Sequence, residues 1–306
     1  MNIRKLVEQI LPPLAADLIR PWVRKDYDEA ALRVYERERK PYSRGYRIYV
    51  QRLVVRTLND GGPVESFRRG APLPDGFGRD IDERCVEYPW VLANLPAGPA
   101  RMLDAGSTLN YDFLLDQEVV REKLLHILTF APEERCFWNR GISYLFADLR
   151  EIPVRDAYYD VIVCISTLEH VGCDNSRWTN QDSHREDRPD DFPLAMSELR
   201  RVLRPGGLLL LTVPFGAYCH YGWFQQFTRS LLSRAIDAFG SAAECIETFY
   251  RYTPGGWRRA TAEECADCEY VRSYKGPPSQ WTRPIPLEPD GAVAARAVAC
   301  VRIVKQ

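Results

Sequence analysis

The chain has 306 residues, 45% of them hydrophobic, which is enough to bury a large core. Its 41 basic and 42 acidic side chains leave a formal charge of −1, which argues against a dedicated nucleic-acid binder, a class with a clear basic excess. No apolar run approaches the roughly 20 residues of a membrane span, and no secretory signal with a small-residue cleavage site is visible.

Residues 1–40 read as helical, interrupted at Pro12 and Pro13. Leu6, Ile10, Leu11, Leu14, Leu18, Ile19 and Trp22 form an apolar stripe flanked by Arg4, Lys5, Arg20, Arg24 and Lys25. Two roles stay open for residues 1–25. A basic amphipathic helix can lie on a membrane surface, here the inner face seen from the cytoplasm. The favoured role is packing on its own domain or on a second copy in a homo-oligomer. Asp28–Lys40 reads as a solvated helix face, Tyr46–Leu58 as a helix or strand, and Asn59–Arg79 as loop, because Asn-Asp-Gly-Gly-Pro is turn chemistry. Helical spacing of Val86, Trp90, Val91 and Leu95 predicts a helix over Ile81–Leu95.

Arg101–Ala105 is the first predicted core strand, followed by a turn through Gly106 and a helix over Tyr111–Lys123. A strand, a tight turn with glycine and a helix bring backbone and free N–H groups close to a ligand. Leu124–Phe130, Tyr144–Ala147 and Val161–Ile165 are further apolar strands, the last two ending at Asp148 and at Ser166-Thr167-Leu168-Glu169-His170. In an open α/β sheet ligands bind at the carboxyl ends of strands, so these polar clusters point at one site. Gly172–Asp191 is a polar excursion of the kind that carries substrate contacts. Phe192–Leu203 is an amphipathic helix stopped by Arg204-Pro-Gly-Gly207, Leu208–Val213 a buried strand and Thr228–Phe239 another amphipathic helix. Glu244–Tyr252 and Val293–Val304 are closing strands around a Pro-rich loop, Thr253–Asp290, with a short helix near Thr261–Cys268. The nine scattered cysteines suit reduced, buried thiols in the cytoplasm. Cys265 and Cys268, the one close pair, lack a second pair or a nearby histidine and predict no zinc.

Over roughly Asp82–Lys305 the sequence resembles the class I S-adenosylmethionine-dependent methyltransferase family. Met102-Leu-Asp-Ala-Gly-Ser is similar to the family's first motif, usually Leu-Asp-x-Gly-x-Gly-x-Gly. Ala147-Asp148-Leu149 looks like its adenine-binding strand end. Tyr159-Asp-Val-Ile-Val-Cys-Ile-Ser-Thr-Leu-Glu-His-Val resembles the fourth-strand motif, and Glu198-Leu-Arg-Arg-Val-Leu-Arg-Pro-Gly-Gly-Leu-Leu-Leu-Leu the helix–turn–fifth strand signature. The resemblance implies a Rossmann-like, seven-stranded, mostly parallel α/β sheet with a final antiparallel strand and helices on both faces, spanning 81–306 behind a helical N-terminal extension over 1–80. It implies S-adenosylmethionine held by Asp104, Ala105, Gly106, Ser107 and Asn110, by Asp148 and Leu149, and by Ser166 and Thr167. Thr108 and Asn110 replace two turn glycines of the family. The acid that ends the second strand and grips the ribose is absent, the nearest acids being Glu133 and Glu134.

Methyl transfer from a sulfonium needs an aligned acceptor and, for a hydroxyl, a base. His170 is the first candidate, with Glu169, His184 and Asp174 beside it. Glu169-His170 is also similar to metal-binding members of the family, but their further acid, three residues earlier, is Ser166 here, and no metal is expected. Tyr218, His220, Tyr221, Trp223 and Phe224 overhang the fifth strand end and suit a sugar or aromatic acceptor. The Ile10-Leu-Pro-Pro-Leu opening and Ser166–Asn175 are similar to methyltransferases of bacterial surface-polysaccharide pathways, which implies O-methylation of a glycan hydroxyl or another small molecule. The alternative is a catalytically silent methyltransferase fold acting as a binding or scaffold protein.

Overall fold

The computed structural model describes residues 27–133, 135–272 and 288–306. The basic amphipathic stretch over 1–25 therefore lies outside the described residues. No helix among the described residues is long and apolar enough to cross a membrane.

Helix α1 covers residues 27–38. It is followed by α2 (Tyr46–Asn59), α3 (Gly61–Arg69) and α4 (Arg84–Asn94). The core then runs β1 (Arg101–Ala105), short helices α5 (Asp112–Leu115) and α6 (Glu118–Arg121), β2 (Leu124–Thr129), β3 (Ser143–Phe146) and β4 (Tyr159–Ile165). After α7 (Ser176–Thr179) and α8 (Phe192–Val202) come β5 (Leu203–Pro214), a two-residue hairpin β6 (Cys219–His220) and β7 (Gln225–Gln226), and α9 (Arg229–Phe239). The chain closes with β8 (Ala242–Thr253), β9 (Gly256–Ala260), α10 (Ala262–Cys265) and β10 (Ala297–Lys305).

Eight strands form the main sheet in the order β3-β2-β1-β4-β5-β10-β8-β9. The first five run parallel, and β10 lies antiparallel between β5 and β8. The expected mostly parallel sheet with an antiparallel last strand is thus present, with an eighth strand, β9, paired to β8 inside the expected loop. Successive side chains along β4 and β5 enter opposite cores. Val161, Val163, Leu208 and Leu210 join the one under α2, α3 and α4, and Ile162, Cys164, Leu209 and Leu211 the one under α8 and α9. Each fully buried aliphatic side chain adds about 1.5–3 kcal/mol. Two such faces explain why these strands read as continuous apolar runs.

Three expectations change. The segment read as loop over Asn59–Arg79 holds helix α3, because the Asp60 side chain caps the Gly62 N–H and Gly70, at φ 62°, ends the helix. The helix expected over Tyr111–Lys123 is broken into α5 and α6 by extended backbone at Gln117. The stop at Arg204–Gly207 lies inside β5 as a bulge, since the register jumps from Tyr159↔Leu203 to Val161↔Leu208. The described part of the extension, residues 27–80, is not an appendage: Tyr35, Tyr46, Val54 and Phe67 share the core of the sheet's first face, and Phe67 meets Tyr250 of β8 with ring centroids 5.5 Å apart.

Candidate active site

A cavity of about 880 Å³ opens over the carboxyl ends of β1, β2, β3 and β4. Its size suits a small-molecule site. One half is walled by the turn after β1, the β2 end and Asp148, and the other by α2, the start of α4, His170 and Trp223.

The first half is organised by Asp104. Its carboxylate is fully buried and accepts the N–H of Thr108 at 3.2 Å, the Thr108 hydroxyl at 3.1 Å and the N–H of Leu109 at 2.8 Å. Burial pushes this carboxyl up to about 7 against the pull of those bonds. Asp104 therefore shapes the turn rather than facing the cavity, and Thr108 stands where the family has glycine because its hydroxyl completes that bonding. Ala105, the last residue of β1, is also fully buried. Gly106 has φ 123°, and a Cβ there would lie 2.1 Å from Thr167 Oγ1, so this glycine is required for β1 and β4 ends to meet. Ser107, at φ 59°, lines the cavity with a buried hydroxyl that has no partner. Asn110 accepts the Tyr144 hydroxyl at 2.9 Å and donates to Glu133 Oε2 at 3.1 Å and to the Arg135 carbonyl at 3.0 Å. Glu133 is thereby held on the cavity wall, while Glu134 is outside the described residues.

Asp148 lines the cavity and is gripped by Arg150, whose Nη2 lies 2.6 Å from Oδ2 and Nε 3.1 Å from Oδ1. The same guanidinium reaches Asp191 at 2.8 Å and Glu186 at 2.9 Å, which ties the polar excursion to the end of β3. Leu149 and Thr167 also line this half. Ser166 does so too, at φ 39°. Its hydroxyl donates to Glu87 Oε1 at 2.5 Å.

The second half was only partly legible. His170 donates from Nδ1 to the Trp223 carbonyl at 2.8 Å, and its ring lies 5.3 Å from that of Trp223. This bond fixes the neutral tautomer and leaves Nε2 as the acceptor. Burial lowers its pKa to about 4, so the imidazole is neutral at physiological pH. Beside it Glu169 is 2% exposed, and its Oε2 has no hydrogen-bond partner. Across from it α4 begins with Asp82, Glu83 and Arg84 on the cavity wall, and the Arg84 guanidinium pairs with buried Glu87 at 2.6 Å. Sequence reasoning passed over these charges and used only the apolar stripe of the same helix. Four acidic or basic residues within Asp82–Glu87 were the available signal. His184 and Asp174 are not on the cavity wall. The His184 ring packs edge-on to Phe130 at 4.2 Å, and Asp174 accepts the N–H and hydroxyl of Ser176. No group of three or more metal-ligating side chains occurs among the described residues.

This strand order, with a ligand cavity across the ends of β1 and β4, is the Rossmann-like methyltransferase fold. Residues 129–211 match the family model described as a methyltransferase domain. Two curated relatives are malonyl-[acyl-carrier protein] O-methyltransferases. The one from Xylella fastidiosa is 24% identical over 54% of this chain and 51% of its own length. That from Serratia marcescens is 28% identical over 51% of this chain and 54% of its own. The chain thus spans about half the length of these relatives. Among solved structures, a Thermotoga maritima S-adenosylmethionine-dependent methyltransferase, a possible histamine N-methyltransferase, is 14% identical, with 83% of this chain and 99% of its own covered and a TM-score of 0.41. A Burkholderia thailandensis 1,6-didemethyltoxoflavin N1-methyltransferase with bound S-adenosylhomocysteine is 15% identical, covering 68% and 72% with a TM-score of 0.37.

S-adenosylmethionine is the cofactor of the matched family, and the first half of the cavity fits it. The orphaned Ser107 hydroxyl, the Glu133 carboxylate, Asp148 and the apolar Ala147 and Leu149 side chains supply polar and apolar partners in one wall.

Proposed function

We propose that this chain transfers a methyl group from S-adenosylmethionine to a hydroxyl oxygen of a small-molecule acceptor of the sugar type, as in a surface glycan. The observation that carries this reading is the geometry of His170. A neutral imidazole with Nδ1 bonded to a carbonyl and Nε2 free is set to accept a proton, and a hydroxyl acceptor is what requires that. The aromatic rings of Trp178, Trp223 and Phe224 on the same wall offer faces for a sugar ring.

In this reading Glu133 takes the ribose hydroxyls in place of the absent strand-end acid, oriented by Asn110. Asp148, steadied by Arg150, accepts the adenine amino group. Bound S-adenosylmethionine supplies an electrophilic methyl on a sulfonium sulfur. His170 Nε2 takes the hydroxyl proton as the O–C bond forms and the S–C bond breaks. The walls from α2 and Trp223 hold the acceptor in line and exclude water.

The test is formation of S-adenosylhomocysteine from a panel of sugars by the wild type and by His170→Ala. A fall of about 10²-fold or more in kcat, with cofactor affinity kept, is the expected result. A second reading follows from the curated relatives: a carboxylate acceptor, as in their names. A carboxylate is already ionised and needs no base, so unchanged kcat in His170→Ala would select that reading. Failure of the purified protein to bind the cofactor would select the silent scaffold.

A further inference from the structure

The acceptor half of the cavity contains more buried acid than the hydroxyl-transfer chemistry uses. Asp82 and Glu83 at the start of α4 are each 8% exposed and Glu169 is 2% exposed, and all three line the cavity. Arg84, beside them on this wall, is already paired with Glu87. Two of the acids have partners: Asp82 accepts the Arg84 N–H at 3.3 Å, and Glu83 accepts the Ala295 N–H at 3.1 Å. Glu169 Oε2 has none. A buried polar atom without a partner, on a cavity wall, marks the place of a ligand atom.

The chemistry of that atom follows from the charge around it. Burial and mutual repulsion push Glu169 well up and Glu83 to about 8, which favours the protonated form of each in the empty cavity. The groups facing Glu169 are Glu83 and Glu87 of α4, which oppose its ionisation, and Arg84, which favours it. His170 beside it is neutral. A neutral oxygen on the ligand would satisfy one proton only. A positive charge would let Glu169 ionise and form an ion pair with it, so the site favours a cation.

Resting on the hydroxyl-methylation reading, we infer that the acceptor carries a protonated amine beside the hydroxyl that is methylated, received by Glu169 with Asp82 and Glu83 on the same wall. The amine is not the methylated atom, because a protonated nitrogen has no lone pair to offer. The acceptor class is therefore an amino alcohol, such as an amino sugar. Binding an ammonium to protonated Glu169 forms an ion pair and releases one proton to solvent.

Calorimetry with D-glucosamine and D-glucose, at pH 7 in two buffers of different ionisation enthalpy, tests this with the full chain, both with and without S-adenosylhomocysteine. The expected result is at least tenfold tighter binding of glucosamine, with about one proton released per molecule bound. Glu169→Gln, an isostere of the protonated side chain, should remove both the preference and the proton release while melting normally. Glu83→Gln should weaken the preference less. Equal affinity for the two sugars, absence of glucosamine binding, or a preference that survives in Glu169→Gln would overturn the inference. Failure of the transfer reading is seen separately, as a lack of cofactor binding or of any product, and leaves the amine preference measurable.

Discussion

The two halves of the cavity treat their polar atoms in opposite ways. Around the β1 turn they are mostly matched to one another: Asp104 to Thr108 and Leu109, Asn110 to Tyr144 and Glu133, Asp148 to Arg150. Around α4 and His170 the acids crowd one another, and Glu169 Oε2 is left without a partner. A preorganised half holds its shape without a ligand and binds without reorganisation. A frustrated half costs stability in the free protein and recovers it only when the right ligand arrives. The contrast separates a cradle for an invariant group from a pocket that selects.

The sharpest way to break the first half is Gly106→Ala. The new Cβ meets Thr167 at a distance no side chain tolerates, on a backbone with φ 123°. Affinity for S-adenosylhomocysteine should fall by about 10²-fold or more, with glucosamine binding less affected, as read by calorimetry. The second half is probed through rate: kcat against pH should show no acid limb from His170 until the pH nears its pKa of about 4. An acid limb near pH 6.5 lost in His170→Gln would show instead that the imidazole is solvated.

Arg150→Ala removes a guanidinium that serves three carboxylates at once. A loss of about 2 kcal/mol in urea unfolding is expected, because Asp148, Glu186 and Asp191 would be left close together and partly buried. Arg150→Lys should recover only part of it, since an ammonium lacks the fork. A separate effect is on the pH dependence of stability. Glu83 and Asp104 hold their protons more tightly when folded than when unfolded. Their contribution is therefore full below the usual carboxyl pKa and is lost as pH rises through about 7 to 8. Tm should decline from pH 5 to pH 8, and Glu83→Gln should flatten part of that slope. A flat wild-type profile would mean that both acids ionise freely.

What the sequence revealed, and what it hid, divides along the same line. The buried strands and their polar ends were legible because a strand covered on both faces leaves an uninterrupted apolar run. His170 was legible because it follows one directly. The acids at the start of α4 were hidden: charged residues on a helix are normally solvated, and it is the approach of Ala295 and Tyr46, distant in sequence, that covers this end. Helix α3 was hidden because Asp60, Gly61, Gly62 and Pro63 serve equally as a turn and as a helix start. Thr108 replaces a turn glycine of the family, and the sequence does not show that its hydroxyl bonds Asp104.

Several of the bonds that fasten the segment leading into α4 come from residues made much later. Asp80 donates its N–H to the Tyr252 hydroxyl, 172 positions on. The Ile81 carbonyl accepts from Trp257, 176 positions on, and Glu83 from Ala295, 212 positions on. A chain leaving the ribosome therefore holds this acidic turn idle until β8, β9 and the approach to β10 have been synthesised. Closing such long loops is slow, so the selective side of the cavity should be the last part of the molecule to acquire protection from hydrogen exchange, and any cut that removes β9 should unmake it first.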